Sequence, residues 1–171
     1  MKNEHTSDTV KEYIADALIL LLKSKPLSQI TVDELTQKAG VGRATYFRAF
    51  DTKQEAITFK FIKLWERYAA EHQLVEQRSF DLRNAVPFFE YNYSIRDILE
   101  TVYCSGLQEA LHESFYQIML PETEKNDPRK TYREKFYAHG LYGLLDEWIK
   151  RGFQESPQEM AQMLTSIVTQ E

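Results

Sequence analysis

The residues whose types and spacing suggest a definite chemistry lie in one short segment, 31–50, which reads TVDELTQKAGVGRATYFRAF. This layout is typical of a helix-turn-helix, in which the second of two short helices enters the major groove of DNA. Leu35 and Ala39 share the inward face of the first helix, while Gly40 permits a sharp exit. Val41 then fills the corner. Spacing alone leaves one alternative open, an ordinary helical hairpin within an α-helical bundle.

The second helix of this segment carries the residues that we expect to meet DNA. Gly42 precedes it, and Phe47 and Phe50 have the spacing to anchor it. The intervening side chains then point outward near the helix N-terminus, namely Arg43, Ala44, Thr45 and Tyr46. Arginine can pair with guanine or phosphate, and small side chains can approach a thymine methyl group closely. Thr31 and Lys53 lie at the starts of neighbouring helices, where backbone N–H groups favour a phosphate. We therefore predict a DNA-binding surface made of Thr31, Gly42, Arg43, Ala44, Thr45, Tyr46, Phe47, Arg48 and Lys53.

Net charge is the main objection to a nucleic-acid partner, and its distribution along the chain weakens that objection. The chain has 21 Lys and Arg against 26 Asp and Glu, a net charge of −5. Residues 1–72 carry 11 basic and 10 acidic side chains, a net of +1, whereas residues 73–171 carry 10 and 16, a net of −6. Residues 23–53 include six basic and three acidic side chains, a local net charge of +3. Because binding depends on the local field, an acidic chain can still present a basic end. Fluctuation between two solvated helical surfaces is the alternative explanation of this split.

Helices must position this segment, because apolar residues recur at three- to four-residue spacing along most of the chain. Capping sequences predict helix starts at Thr31–Glu34, Thr52–Glu55 and Ser156–Glu159. The pattern from Ile95 to Ile118 predicts one long amphipathic helix, and the charged segment 121–130 predicts a loop. We find no strand pattern, internal repeat or apolar run long enough for a membrane span. The predicted fold class is therefore all-α.

Residues from about 8 to 60 resemble the DNA-binding domain of the tetracycline-repressor (TetR) family of bacterial regulators. The family pattern matches at Thr31, Leu35, Thr36, Ala39, Gly40, Val41, Gly42, Arg43, Ala44, Thr45, Phe50, Thr52 and Lys53. The resemblance implies a three-helix DNA-binding domain, here 1–53, and a helical ligand-binding and dimerisation domain, here 54–171. It also implies a homodimer that acts on a palindromic operator. The N-terminal sequence has no signal-peptide pattern, so we expect a cytoplasmic protein.

Three positions depart from the family pattern. Tyr46 and Phe47 reverse the usual order, so Phe47 lacks the hydroxyl that the family's tyrosine gives to a phosphate. Two interpretations of Tyr46 stay open, a substitute phosphate contact or a core residue. Ala49 replaces the common histidine or tyrosine and removes another expected contact. These departures concern affinity and operator sequence more than the mode of binding.

The C-terminal segment 135–164 resembles the end of the regulatory domain in a TetR subgroup that includes regulators similar to the dihydroxyacetone-kinase operon activator. Gly140 and Gly143 leave little bulk on one side of a helix, so a helix from a second subunit could approach closely. We predict a homodimer interface formed by Gly140, Leu141, Leu144, Trp148, Met160, Met163, Leu164 and Ile167. The alternative is that both terminal helices only close the core of their own domain.

Residues 80–142 hold twelve aromatic side chains, which could line a site for an organic effector or fill a small core. The candidate pocket residues are Phe88, Phe89, Tyr91, Tyr93, Tyr103, Phe115 and Tyr137. The single cysteine, Cys104, excludes an internal disulfide, and the four histidines lack metal-ligand spacing. Because no nucleophile–base pair or catalytic carboxylate pair is recognisable, we predict no enzyme activity, no catalytic residues, no cofactor and no metal.

The sequence therefore predicts a DNA-binding transcriptional regulator, more specifically a bacterial repressor that acts as a homodimer. Its DNA affinity would be controlled through the C-terminal domain, by a small organic effector or by a partner protein. The alternative is a helical interaction adaptor or co-regulator that responds to a partner protein instead of a small molecule.

Overall fold

The computed structural model describes residues 2–74, 82–120 and 128–169, with side chains described from residue 8 onward. Within these ranges the chain forms nine α-helices and no strand, which confirms the all-α class. The helices are α1 (Lys2–Leu22), α2 (Val32–Ala39), α3 (Arg43–Ala49), α4 (Lys53–Glu71), α5 (Ala85–Ser94), α6 (Arg96–Cys104), α7 (Gln108–Met119), α8 (Pro128–Lys150) and α9 (Pro157–Thr169). Single 3₁₀ turns lie at Leu27–Gln29 and Leu82–Asn84. None of the described helices is long and apolar enough to span a bilayer.

The chain divides into two compact units. The first comprises residues 1–64 and 101–114, and the second comprises residues 65–100 and 115–171. The helix-turn-helix segment lies in the first unit, whereas α8 and α9 lie in the second. The division at residue 53 between a DNA-binding and a regulatory domain stays a prediction about function.

The core of the first unit is built from α1, α2 and α4. Ile14, Leu35 and Ile57, one from each helix, are fully buried. Burying a side chain of this size stabilises a fold by about 1.5–3 kcal/mol. Lys60 of α4 is also buried (6% exposed), and its ammonium group pairs with the Asp16 carboxylate on α1. This ion pair gives the buried ammonium group a polar partner and ties α4 to α1.

Two helix boundaries differ from the sequence-based predictions. The single long helix predicted over Ile95–Ile118 is wrong at its centre, where a turn separates α6 from α7. Gly106 in this turn has φ +71°, and the Leu107 N–H donates to the Val102 carbonyl at 3.1 Å. A left-handed glycine followed by this bond ends a helix. Of the predicted loop at 121–130, residues 121–127 lie outside the described residues, and the last three are helical because α8 begins at Pro128.

Trp148 is the centre of the core of the second unit. It is 1% exposed, and its indole N–H donates to the Glu155 carbonyl at 3.0 Å. Its ring centroid lies 4.8 Å from that of Phe153, 5.5 Å from that of Phe89 and 6.0 Å from that of Tyr93. Such aromatic pairs add about 0.5–1.5 kcal/mol to the free energy gained by burial. A single side chain thus joins α5, α8 and the turn before α9.

The start of α9 is a complete capping box, which confirms the sequence-based prediction. The Ser156 N–H donates to the Glu159 carboxylate at 2.7 Å, and the Glu159 N–H donates to the Ser156 hydroxyl at 3.2 Å. The Ser156 hydroxyl also donates to the same carboxylate at 2.7 Å. These hydrogen bonds hold the pKa of Glu159 below its ordinary value, because they stabilise the charged form.

Candidate nucleic-acid interface

The first helix of the helix-turn-helix, α2, is fixed at both ends by its own sequence. At its start the Thr31 hydroxyl accepts a hydrogen bond from the Glu34 N–H at 3.1 Å. At its end Gly40 has φ +69°, and the Val41 N–H donates to the Thr36 carbonyl at 3.0 Å. The left-handed glycine ends the helix and turns the chain sharply into α3. Both helices and the turn of the predicted motif are therefore present.

The second helix, α3, is anchored by two aromatic side chains. Tyr46 is 2% exposed, and Phe50, four positions later and directly after the helix, is 5% exposed, so both anchor the same side of α3. Burial raises the pKa of the Tyr46 phenol, and the nearby Glu55 carboxylate adds to this shift. The side chains left exposed on α3 are those of Arg43, Ala44, Phe47 and Arg48, while Thr45 is half-buried.

The structure corrects the prediction for two neighbouring residues. The sequence spacing predicts that Tyr46 points outward and that Phe47 anchors the helix, but Tyr46 is buried and Phe47 is 53% exposed. Consecutive residues of a helix point about 100° apart, so Tyr46 and Phe47 cannot both point into the core. Phe47 precedes Phe50 by three positions and Tyr46 precedes it by four, and both spacings suit a buried anchor. Because both side chains are aromatic, the sequence alone does not decide between them. Tyr46 is therefore a core residue.

The two arginines of α3 already have polar partners. A guanidinium nitrogen of Arg43 lies 2.6 Å from Oδ1 of Asp33 on α2, and both side chains are exposed (58% and 69%). The Arg43 guanidinium carbon also lies 5.9 Å from the centroid of the Phe47 ring. The Arg48 guanidinium donates to the Thr45 hydroxyl at 3.4 Å. These exposed contacts place both cations over the solvent-facing side of α3.

A groove of about 600 Å³ lies beside this side of α3 within the first unit. Its lining comes from the connection between α1 and α2, the start of α2, α3, the start of α4 and the turn after α6, and it includes Pro26, Val32, Phe47, Lys53 and Ser105. The Lys53 ammonium donates to the Ile30 carbonyl just before α2, while Thr31 is exposed at the start of that helix. Thr31 and Lys53 are both predicted to meet phosphates at helix starts. The half-buried Lys53 side chain reaches from α4 to the start of α2, where Thr31 lies.

The eight residues predicted to form the dimer interface fall into two groups. Four are packed in the core of the second unit at 1–4% exposure, namely Leu141, Trp148, Met160 and Leu164. The other four reach solvent to different extents, namely Gly140, Leu144, Met163 and Ile167. Tyr132 (77% exposed) and Phe136 (75%) of α8 are more exposed than Met163 (43%) and Ile167 (58%). Only some of the apolar residues that this unit exposes to solvent therefore belong to the predicted interface.

The candidate pocket residues make the contacts of a packed aromatic core. Phe89, Tyr91 and Phe115 are buried, and Phe88 has its ring centroid 5.1 Å from that of Phe89 and 6.1 Å from that of Phe115. Trp65 packs edge-on against Tyr91 at 5.1 Å. Of the rest, Tyr93 is 37% exposed and Tyr137 is half-buried in the second unit, whereas Tyr103 belongs to the first unit. An effector site among these residues stays a prediction.

Comparison with known families settles the class of the C-terminal region. A TetR-type family model described as a transcriptional regulator C-terminal region matches residues 84–170. The match covers 87 of the 171 residues, just over half of the chain. The chain belongs to the TetR family of transcriptional regulators. A comparison with curated proteins finds no match.

Membership of the TetR family makes the chain a transcriptional regulator and points away from an enzyme. The matched region begins at residue 84, so it is independent of the helix-turn-helix at 31–50. The narrower likeness to regulators of dihydroxyacetone-kinase operons stays a prediction. Within the described residues of this TetR-family chain, no group of three or more His, Cys, Asp or Glu side chains could hold a metal ion.

Sequence reasoning missed three residues that bear on the two surfaces of this TetR-family regulator. Asp33 is the ion-pair partner of Arg43, and the tight turn between α2 and α3 is the signal that could have brought the two together. Phe136 lies one helical turn before Gly140 and Tyr132 two turns before it, on the same face of α8. Their four-residue spacing was visible in the sequence, but their exposure was not.

Proposed function

We propose that this TetR-family regulator is a repressor that binds a palindromic DNA operator as a homodimer, under the control of its C-terminal domain. The observation that carries the proposal is the solvent-facing side of α3, which presents Arg43, Ala44 and Arg48 opposite the buried anchors Tyr46 and Phe50. A recognition helix meets base edges with small and basic side chains near its N-terminus. This arrangement is the one that the major groove requires.

The start of α3 supports close approach to base edges. Gly42 precedes the helix, and the first atom that a Cβ at this position would meet is Oγ1 of Thr45, at 4.0 Å. The Ala44 methyl group is short enough to touch a thymine methyl, and the Arg43 guanidinium can donate two hydrogen bonds to guanine. We therefore assign direct base reading to Arg43 and Ala44, with Thr45 beside them.

Contacts to the DNA backbone would come from helix starts and from the groove. Thr31 directly precedes α2 and Lys53 begins α4, and the first turn of a helix favours a phosphate. Phe47 is exposed but offers no hydroxyl, and Ala49 is short and half-buried. Fewer phosphate contacts than usual for the family are therefore available, and affinity should depend strongly on the arginines.

The proposed homodimer is supported by the exposed apolar residues of α8 and α9. Tyr132 and Phe136 of α8 and Met163 and Ile167 of α9 are large apolar side chains that face solvent, and a second subunit would cover them. Among the described residues no atom outside its own helix lies within 4 Å of a Cβ built on Gly143, which leaves room for another helix there. Along α8 the residues before the glycines carry a net positive charge and those after them a net negative charge, namely Arg129, Lys130, Arg133 and Lys135 against Glu134, then Asp146 and Glu147 against Lys150. Two antiparallel copies of α8 would bring these opposite charges together.

Control through the C-terminal domain would work by a shift in populations. An effector that prefers a dimer with wrongly spaced recognition helices lowers the fraction able to bind two successive major grooves. The effector would be an organic molecule or a partner protein. Addition of small molecules and addition of cell protein to a DNA-binding assay distinguish the two.

The experiment that tests the proposal selects DNA from a random pool with the purified chain and measures binding to the enriched duplex. Arg43→Ala should lower affinity at least about tenfold, because a bidentate arginine–guanine contact contributes about 1–3 kcal/mol. Arg151→Ala in the second unit is the matched control and should bind like the wild type. Circular dichroism and sedimentation should show unchanged fold and oligomeric state in both variants. Failure to enrich any sequence would favour a helical adaptor, and equal affinities of the two variants would contradict the assigned surface.

A further inference from the structure

The arginine best placed to read DNA is already engaged in the free protein. The Arg43 guanidinium lies 2.6 Å from Oδ1 of Asp33, and this ion pair crosses the turn between α2 and α3. Glu34, the other acidic residue in the first turn of α2, pairs instead with Lys25. The two neighbouring acidic residues thus have different partners. Asp33 pairs with Arg43, the residue that the proposed function assigns to DNA.

We propose that Asp33 restrains Arg43 in the free protein and is exchanged for DNA on binding, so that Asp33 is a positioning residue that lowers affinity for DNA. This inference rests on the proposed function, since it concerns the same arginine. The proposed DNA-binding surface then includes, besides its basic residues, one acidic residue that weakens DNA binding.

The exchange is feasible because the ion pair is exposed. With 58% of the Arg43 side chain and 69% of the Asp33 side chain open to solvent, the pair is weak, and water can solvate Asp33 once Arg43 leaves. A phosphate or the edge of guanine offers the guanidinium two parallel acceptors, which is a stronger arrangement. The Phe47 ring, 5.9 Å from the guanidinium carbon, keeps the arginine on the exposed side of α3.

A purely structural role for the ion pair would have the opposite consequence. If the pair were needed to hold α2 against α3, its loss would loosen the motif and weaken DNA binding. Other features already fix these helices, however. Leu35, Tyr46 and Phe50 are buried, and the left-handed Gly40 sets the turn. We therefore expect loss of the Asp33 carboxylate to release Arg43 without loosening the motif.

The test measures affinity for a duplex of about 30 base pairs, enriched by the wild-type chain and long enough for two half-sites one helical turn apart. Asp33→Asn keeps the size of the side chain and removes its charge, and it should bind about fivefold more tightly at low salt. The gain should shrink as salt rises, because salt screens the ion pair in the wild type. Glu109→Gln is the matched control, since Glu109 also lies in the first turn of a helix of the first unit. It should change affinity less than about twofold.

A double-mutant cycle separates release of Arg43 from a general change of charge. In an Arg43→Ala background, Asp33→Asn should change the affinity for DNA no more than Glu109→Gln does. Thermal unfolding monitors the fold, and Asp33→Ser carries the same expectation if Asp33→Asn does not fold. A gain no larger than the control, a loss of affinity, or a gain that persists without Arg43 would overturn the inference while leaving DNA binding intact. Failure of the wild type to bind any duplex would instead overturn the proposed function, and this inference with it.

Discussion

Phe47 provides the sharpest test of how the chain would meet the DNA backbone. It is 53% exposed on α3, where the TetR-family pattern has a tyrosine whose hydroxyl contacts a phosphate. The variant Phe47→Tyr adds a hydroxyl to an exposed ring and leaves the buried anchors Tyr46 and Phe50 unchanged. We expect this single atom to increase affinity for the operator.

The size of the increase follows from the exposure of the ring. A hydrogen bond to a charged group contributes about 1.5–3 kcal/mol, and ordering the partly free side chain costs about 0.5–1.5 kcal/mol. The difference is about 1 kcal/mol for one subunit, or roughly fivefold, and about 2 kcal/mol, or roughly thirtyfold, for a dimer in which both subunits contact DNA. Since the ring edge already faces solvent, the free energy of unfolding should change by less than about 0.5 kcal/mol.

The assay is a binding titration of the enriched duplex at several salt concentrations. A hydroxyl carries no charge, so Phe47→Tyr should raise affinity by the same factor at every salt concentration. A plot of log affinity against log salt concentration should keep its slope. Tyr46→Phe is the matched control because it removes a hydroxyl from the neighbouring buried ring. It should leave DNA affinity unchanged. Loss of affinity in Tyr46→Phe together with no gain in Phe47→Tyr would refute the assignment of Phe47 to the DNA-facing side.

Three further predictions concern the second unit. Phe136→Asp places a charge on a side chain that is 75% exposed, so sedimentation should show more monomer while thermal stability changes little; an unchanged dimer would argue against this interface. Trp148→Ala should lower the free energy of unfolding by about 3–5 kcal/mol in urea titrations, because it empties a buried aromatic site; a smaller loss would mean that the neighbouring rings collapse into the space. The pKa of Glu159 is lowered in the folded chain, so its contribution to stability is present above the ordinary carboxyl pKa and is lost as pH falls through the folded value. Between neutral pH and about pH 3, Glu159→Gln should therefore lose less stability than the wild type, and equal losses would exclude this contribution.

Local signals in the sequence were sufficient for much of the fold. The capping residues Thr31 and Ser156 make the hydrogen bonds that their types predict, because a helix start needs acceptors for its free N–H groups. Gly40 ends α2 because its left-handed φ suits glycine. The break at Gly106 was missed because Val102 and Leu107 on either side are both buried, so the apolar pattern continues through the turn.

The candidate site was predictable only as a segment and not residue by residue. Tyr46 and Phe47 are both aromatic and adjacent, and the packing of α3 decides which of them is buried. Asp33 belongs to another helix than Arg43, so their ion pair depends on tertiary geometry. In the second unit, apolar spacing does not distinguish the buried Trp148 from the exposed Phe136, and only packing against other rings separates the two roles.

The position of Trp148 also determines what can be observed in solution. Both tryptophans of the chain, Trp65 and Trp148, lie in the second unit, and the first unit has only tyrosine and phenylalanine rings. Indole fluorescence therefore reports the unfolding of the second unit, whereas circular dichroism of the backbone reports both. If the two units unfold separately, the two signals will diverge along a denaturant titration, and if they unfold together, the signals will coincide. The chain thus carries a natural indole label on the second unit alone, and the unit that holds the helix-turn-helix contributes no tryptophan fluorescence.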